Sequence, residues 1–153
     1  PYADGDLGRW MHWLLTTHVR RYHKIRGTSG RIWQGRFKAF PIQQDRHLLT
    51  VMRYVERNPV RANLVSRASD WPWSSIAGGS VLRYADILAE SPVTKPLDWE
   101  GLVDAPLNHE ELRAMRRCSN RGAPYGKKGW VKVTARDLGL ESSLRRPGRP
   151  PKP

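Results

Sequence analysis

Residues 45–65 constrain the fold of this chain more than any other stretch. Asp45 is a good helix N-cap, because its carboxylate can accept from the free N–H groups of a first turn. Leu48, Val51, Met52 and Val55 follow at i, i+3, i+4 and i+7 and predict one apolar helix face. At about 100° per residue, His47, Thr50, Tyr54 and Asn58 form a second stripe beside it. Pro59 has no N–H and disfavours helical geometry at Asn58, so a break or kink is expected there. From spacing alone, Tyr54 reads as a boundary tyrosine with its ring on the core and its hydroxyl in water.

Charge narrows the class of partner. The formal charge of +13 over 153 residues is uneven. Residues 7–44 carry eight Lys/Arg and no acid, and residues 113–153 carry twelve Lys/Arg against Asp137 and Glu141. Two such blocks exceed what solubility needs and favour a polyanion, with nucleic acid as the expected partner. The expected nucleic-acid contacts are Arg20, Arg21, Lys24, Arg31, Arg36, Lys38, Arg61, Arg145, Arg146 and Arg149. No apolar run approaches the ~20 residues of a membrane helix, so no membrane partner is expected. A single cysteine, Cys118, excludes an internal disulfide and reads as a small buried hydrophobe in a reducing cytoplasm. The expected location is therefore cytoplasmic and nucleoid-associated; the oligomeric state is left open.

In chain order, Asp4 or Asp6 is expected to cap a helix over about residues 7–26, with Leu7, Met11, Leu14, Leu15, His18 and Tyr22 on its inner face. Gly27 fits the left-handed position after its last turn. Residues 31–42 read as extended chain interrupted at Gln34-Gly35, with Phe37 and Ala39 on one side of a strand and Pro41 at its end or edge. Trp33 and Phe37 among Arg31, Arg36 and Lys38 suit base stacking and core packing equally. After Pro59, residues 60–64 read as a further helical turn, Trp71 and Trp73 as a core anchor, and Ser74-Ser75 as the start of a short helix. Residues 77–80 read as a flexible break and 82–88 as apolar enough to pack. The prolines of 91–106 suggest an irregular connector. Asn108 can cap a helix over 110–118, residues 122–126 form a turn, and Trp130, Val133 and Leu138 mark a second helix ending at Gly139. The Arg/Pro-rich segment from Ser142 cannot fold alone. The expected organisation is a first region over 1–77, a connector over 78–107, a helical basic region over 108–140 and a disordered tail over 141–153.

Tyr54-Val55-Glu56-Arg57-Asn58-Pro59-Val60-Arg61-Ala62, preceded by Trp33-Gln34-Gly35-Arg36-Phe37-Lys38, resembles the REP-associated tyrosine transposases. These belong to the single-tyrosine HUH transposases, which resemble insertion-sequence enzymes acting on single-stranded DNA. The resemblance implies an α+β, partial ferredoxin-like domain, mostly helical in this chain. It implies cleavage and rejoining of single-stranded, REP-like hairpin DNA through a 5′-phosphotyrosine, with Tyr54 as nucleophile. A divalent metal, Mg²⁺ or Mn²⁺, would offset the weakness of a tyrosine nucleophile. Its ligands in the family are two histidines of a His-hydrophobic-His strand, assisted by a polar side chain that corresponds to Asn58. His12, His18, His23, His47 and His109 form no His-x-His pair. The chain, which starts at Pro1 rather than Met, thus resembles a C-terminal portion lacking the HUH strand. Such a portion is expected to be inactive alone and to bind no metal by itself. The alternative is a non-catalytic DNA-binding remnant or regulator.

Overall fold

The structure, a computed structural model, describes residues 5–33, 35, 37–77, 88–145 and 148. They fall into two compact units, residues 1–38 and 39–153, and the division lies inside the first region expected from the sequence.

The first unit is built on helix α1, Asp6–Arg26. Its N-cap is Gly5 at φ 80°, not an aspartate. Asp6 instead sits in the first turn, where it accepts from the Arg9 guanidinium and its charge suits the helix dipole. Gly27 ends α1 at φ 62° and donates its N–H to the His23 carbonyl, the left-handed cap expected. The His23 ring ties down the loop that follows: its Nε2 donates to the Gly30 carbonyl at 2.9 Å and its Nδ1 lies 2.9 Å from the Thr28 hydroxyl. On the expected inner face, Met11 and Leu15 are half-buried while Leu7, Leu14 and Tyr22 are exposed. Trp33 packs its ring 5.1 Å from that of His18.

The strand expected over 31–42 is not formed among the described residues of that stretch. Among the described residues there is no strand at all, and the stretch contributes one parallel bridge, Ile42 to Tyr125. Tyr125 N–H donates to the Pro41 carbonyl at 2.8 Å, and Gln43 N–H donates to the Tyr125 carbonyl at 2.9 Å. Residue alternation predicts a strand only where a neighbour can complete the hydrogen-bond ladder, and here the neighbour meets one residue before it turns away. The described part of the chain is thus mostly helical, as expected. The crossing is tight: a Cβ on Gly126 would come within 2.6 Å of the Trp130 ring and 2.7 Å of Gln43 Oε1. Gln43 Oε1 also accepts from Lys127 N–H at 2.8 Å, which seals the junction.

The second unit centres on helix α2, Arg46–Glu56, capped as expected by Asp45, whose Oδ1 accepts from His47 N–H at 2.8 Å. Helix α3, Asn58–Arg61, follows after a single interrupting residue, Arg57. Pro59 does not push Asn58 out of helical geometry. It occupies the first turn of α3, where its missing N–H costs nothing, and the break falls one residue earlier. The buried face of α2 also differs from the expected one, since Val55 is 57% exposed and Glu56 only 4%.

Helix α4, Trp99–Asp104, explains that rotation. Trp99 and Val103 are buried with Ala68 and Ile76, and Leu49, Met52 and Val60 pack against them. Glu56 is the polar centre of this core. It accepts from Trp99 Nε1 at 2.7 Å and from the Ser75 hydroxyl at 2.8 Å, with Lys95 Nζ 3.4 Å away. A carboxylate with its lone pairs so matched can be buried. Trp99 therefore anchors the core in place of Trp71 and Trp73, of which Trp73 is 67% exposed. No helix starts at Ser74; the serines turn the chain so that Ser75 reaches Glu56. Part of the expected connector is thus core. Residues 78–87, the remainder of the break and the apolar stretch before Leu88, lie outside the described residues.

Helix α5, His109–Arg121, is capped by Asn108, whose Oδ1 accepts from Glu111 N–H at 2.8 Å, and ends at Gly122 at φ 66°. Helix α6, Lys128–Asp137, follows, then helix α7, Glu141–Leu144. Residues 141–144, the start of the segment expected to be disordered, form this helical turn: Arg121 Nε donates to the Ser143 carbonyl at 2.6 Å and holds it against α5. Met115, Cys118, Ala123 and Tyr125 form a second buried cluster, against which Val51 and Tyr54 of α2 pack.

Candidate active site

Tyr54 is half-buried on α2, and its ring joins the Met115–Tyr125 cluster. The guanidinium of Arg61 lies over the ring at 5.3 Å from its centroid. Arg61 Nη2 also donates to Asn58 Oδ1 at 3.0 Å. The backbone stays helical enough through the break to keep these residues aligned, since Arg57 N–H donates to the Arg53 carbonyl and Arg61 N–H to that of Arg57. Tyr54, Asn58 and Arg61 therefore share one face at i, i+4 and i+7. The Tyr54–Asn58 alignment follows from the periodicity; the guanidinium between them does not, because α3 had to continue the helix for Arg61 to reach back.

An adjoining side of α2 is gripped by α4. Arg53 Nε donates to the Leu102 carbonyl at 2.9 Å, and the Arg57 guanidinium donates to the carbonyls of Val103 and Asp104. With Glu56 fixed by Trp99, these contacts set the rotation of α2 and so the direction of Tyr54. Two arginines that sequence alone could assign to any surface are thus committed to the last turn of α4, where a helix leaves its carbonyls unpaired.

The start of the expected stripe does other work. His47 Nδ1 is 2.6 Å from Asp45 Oδ1, and its ring meets Tyr125 edge-on at 5.1 Å. The Thr50 hydroxyl donates to the Arg46 carbonyl at 3.0 Å. The His47 backbone N–H holds the Asp45 carboxyl below its usual range, with the His47 side chain and Lys127 adding to the effect. Burial pushes the Tyr125 phenol up, reinforced by Glu111, and burial likewise raises the Cys118 thiol. These groups are the framework beneath Tyr54.

The remaining expected contact residues are distributed as follows. Arg20, Arg21 and Lys24 are exposed on α1, with Arg31 exposed on the chain beyond it and Lys38 at the end of that unit. Trp33 and Phe37 are 43% and 36% exposed, lining a groove with Arg20 and the α1 residues His12 and Leu15. Arg61 is beside Tyr54, and Arg145 follows α7. Arg36, Arg146 and Arg149 lie outside the described residues. Sequence reasoning counted Arg117, Lys128 and Lys132 only as part of a charge block. The four-residue step from Lys128 to Lys132 is the signal that singles them out.

The arrangement around Tyr54 offers a phenol, an amide and a cation to one approaching group. An exposed guanidinium suits a phosphate, which it can bind in a planar fork. A metal is a different matter: among the described residues no group of three or more His, Cys, Asp or Glu could hold one. Asn58 could lend one oxygen, and that oxygen already faces Arg61. These residues do not by themselves fit a metal centre. No helix among the described residues is long and apolar enough to cross a membrane.

No family model matches the chain, and no solved structure matches it. A curated protein from Haemophilus influenzae named "Putative REP-associated tyrosine transposase" is 36% identical to it over 93 residues. The match covers 59% of this chain and 47% of that protein, so the chain spans about half the length of the curated relative it matches. This agrees with the likeness carried by the Tyr54 and Trp33 motifs. Over that shared stretch, the chain is similar to a putative REP-associated tyrosine transposase.

Proposed function

We propose that this chain carries the nucleophile of a single-tyrosine HUH transposase that cleaves and rejoins single-stranded, REP-like hairpin DNA, and that Tyr54 is that nucleophile. The observation that carries the reading is the shared face of Tyr54, Asn58 and Arg61, with the guanidinium 5.3 Å from the ring centroid and 3.0 Å from the amide oxygen. In this reading the Tyr54 oxygen attacks a backbone phosphorus and forms a 5′-phosphotyrosine. The bond from phosphorus to the 3′ oxygen breaks, and the proton given up by the phenol is balanced by the one the released 3′-hydroxyl takes up. Arg61 faces the phosphate and compensates charge that develops on it. Rejoining is the reverse, with a 3′-hydroxyl attacking the phosphotyrosine.

A divalent cation, Mg²⁺ or Mn²⁺, belongs to the proposed enzyme, with Asn58 as its assisting ligand. The described residues supply no complete ligand set, so no step is assigned to the metal. The proposal also takes α1 and α2 as helices of a ferredoxin-like domain, and places the protein with DNA in the cytoplasm. Arg20, Arg21, Lys24, Arg31 and Lys38 then follow the single strand, beside exposed rings on which bases can stack.

The test uses the protein expressed from its full reading frame, with and without Mg²⁺ or Mn²⁺, on single-stranded hairpins labelled on the 3′ side of the cut. A metal-dependent covalent adduct that disappears in Tyr54→Phe is the expected result. An adduct that persists in Tyr54→Phe rules out Tyr54. Salt-sensitive hairpin binding without any adduct would leave the non-catalytic, DNA-binding reading.

A further inference from the structure

A second charged surface lies between α5, α6 and α7. There a cleft of about 740 Å³ has five cationic side chains on its walls, Arg117, Arg121, Lys128, Lys132 and Arg145, against two carboxylates, Glu110 and Glu111. Arg121 is committed to the α7 carbonyls, which leaves it a structural part. Arg117, Lys128, Lys132 and Arg145 are exposed, and none has an ion-pair partner among the described residues. Cations gathered in this way repel one another, and the fold gains nothing from them unless an anion arrives. Lys128 and Lys132 are one turn apart on the same face of α6, a rise of about 6 Å, which suits successive groups on one polymer rather than a single small anion.

The kind of polymer follows from what the cleft lacks. Its rings are Tyr125, 8% exposed, and His47, whose side chain is 15% exposed and packs edge-on against Tyr125, so neither offers an open face to an unstacked base. Apolar side chains such as Val131 and Leu144 provide the floor. The groove on the first unit is the reverse, with Trp33 and Phe37 open to stacking. A surface with cations and no stacking platform contacts phosphates, as duplex backbone binding requires. One with rings and cations together suits single strands.

We propose that the α5–α6–α7 cleft binds the sugar–phosphate backbone of a DNA duplex, the paired stem of the substrate, through Arg117, Lys128, Lys132 and Arg145. The inference rests on the reading of the protein as one that acts on DNA. It adds a separate element, a stem-binding surface apart from the tyrosine.

The test compares the parent with an Arg117→Gln/Lys128→Gln/Lys132→Gln/Arg145→Gln variant in the full protein. Binding of a blunt duplex and of an unpaired oligonucleotide is titrated from low to physiological salt. Removing one cation from a phosphate should flatten the slope of log Kd against log salt by about 0.9. With four cations removed, the duplex slope is expected to fall by about 3.6 and duplex affinity on the order of 10-fold or more, with a smaller change for the unpaired strand. A Lys128→Arg/Lys132→Arg variant keeps the charge and should retain the parent slope, which separates phosphate binding from loss of structure. A duplex slope within one unit of the parent, or equal weakening on both DNAs, overturns the proposal. Adduct formation in the same preparations separates the two readings. Adduct from the parent with an unchanged duplex slope in the variant sinks only the cleft. A flattened slope without adduct from the parent sinks only the tyrosine chemistry.

Discussion

Replacing Glu56 by alanine tests how the tyrosine helix is held. Glu56 is 4% exposed and satisfies Trp99 Nε1 at 2.7 Å and the Ser75 hydroxyl at 2.8 Å, while Lys95 sits 3.4 Å from it and over the Trp99 ring at 5.2 Å. In Glu56→Ala the buried indole N–H loses its acceptor, which costs about 1–3 kcal/mol. A further 1–2 kcal/mol, roughly, comes from the void left by the side chain. The expected loss is about 2–5 kcal/mol, centred near 3.5, a large part of the roughly 5–15 kcal/mol typical of a domain. At roughly 3 °C per kcal/mol for a chain of this size, Tm should fall by about 10 °C. Glu56→Gln keeps the volume and an oxygen for Trp99, and should lose only about 1–2 kcal/mol. Urea unfolding followed by tryptophan emission measures both, since the indole of Trp99 leaves a buried, hydrogen-bonded site. Glu56→Ala within about 0.5 kcal/mol of the parent, the range of an ordinary surface change, would refute the argument that this carboxylate fixes the rotation of α2.

Two further outcomes follow from the groups beneath Tyr54. Asp45 has its carboxyl held below the ordinary 3.8, so its contribution is complete above that pH and is lost as pH falls through the lower folded value. Asp45→Ala should therefore cost about 1 kcal/mol at neutral pH, and the gap to the parent should close in acid; unfolding midpoints from pH 7 down to about 2 check this. Cys118 is 7% exposed with its thiol raised by burial, so a thiol reagent at about pH 8 should label the folded protein far more slowly than the unfolded one. Labelling at equal rates would contradict the second cluster.

Much of the local structure could be read from the sequence because its causes are local. Asp45, Asn108, Gly27 and Gly122 end or begin helices by bonds to residues a few places away. The Tyr54–Asn58 face needs only helical spacing. What the sequence withheld depends on partners far along the chain. Helix α4 is six residues in a proline-rich stretch, and it exists as core because Trp99 finds Glu56, 43 residues earlier. Without that acceptor, Val55 is the better inward residue and Glu56 the outward one, and the structure reverses them. The expected strand failed for the matching reason, as alternation at 37–42 met a single partner residue, Tyr125. Arg61 could be marked as basic from its identity, but its place over Tyr54 required knowing that Pro59 would start α3 rather than end α2.

Helix α2 belongs to both buried clusters at once, with Leu49 and Met52 in one and Val51 and Tyr54 in the other. Such a party wall couples the stability of the two sides. Opening either cluster exposes one flank of the helix, so the segment that carries Tyr54 is released only when the whole second unit lets go. Its amides should then exchange with solvent at the slow rate of global unfolding, while those of the short α7 exchange through local fraying. A tyrosine mounted in this way keeps its bearing while the segments around it move. The same coupling makes the site vulnerable at a distance, because damage to either core reaches it through one helix.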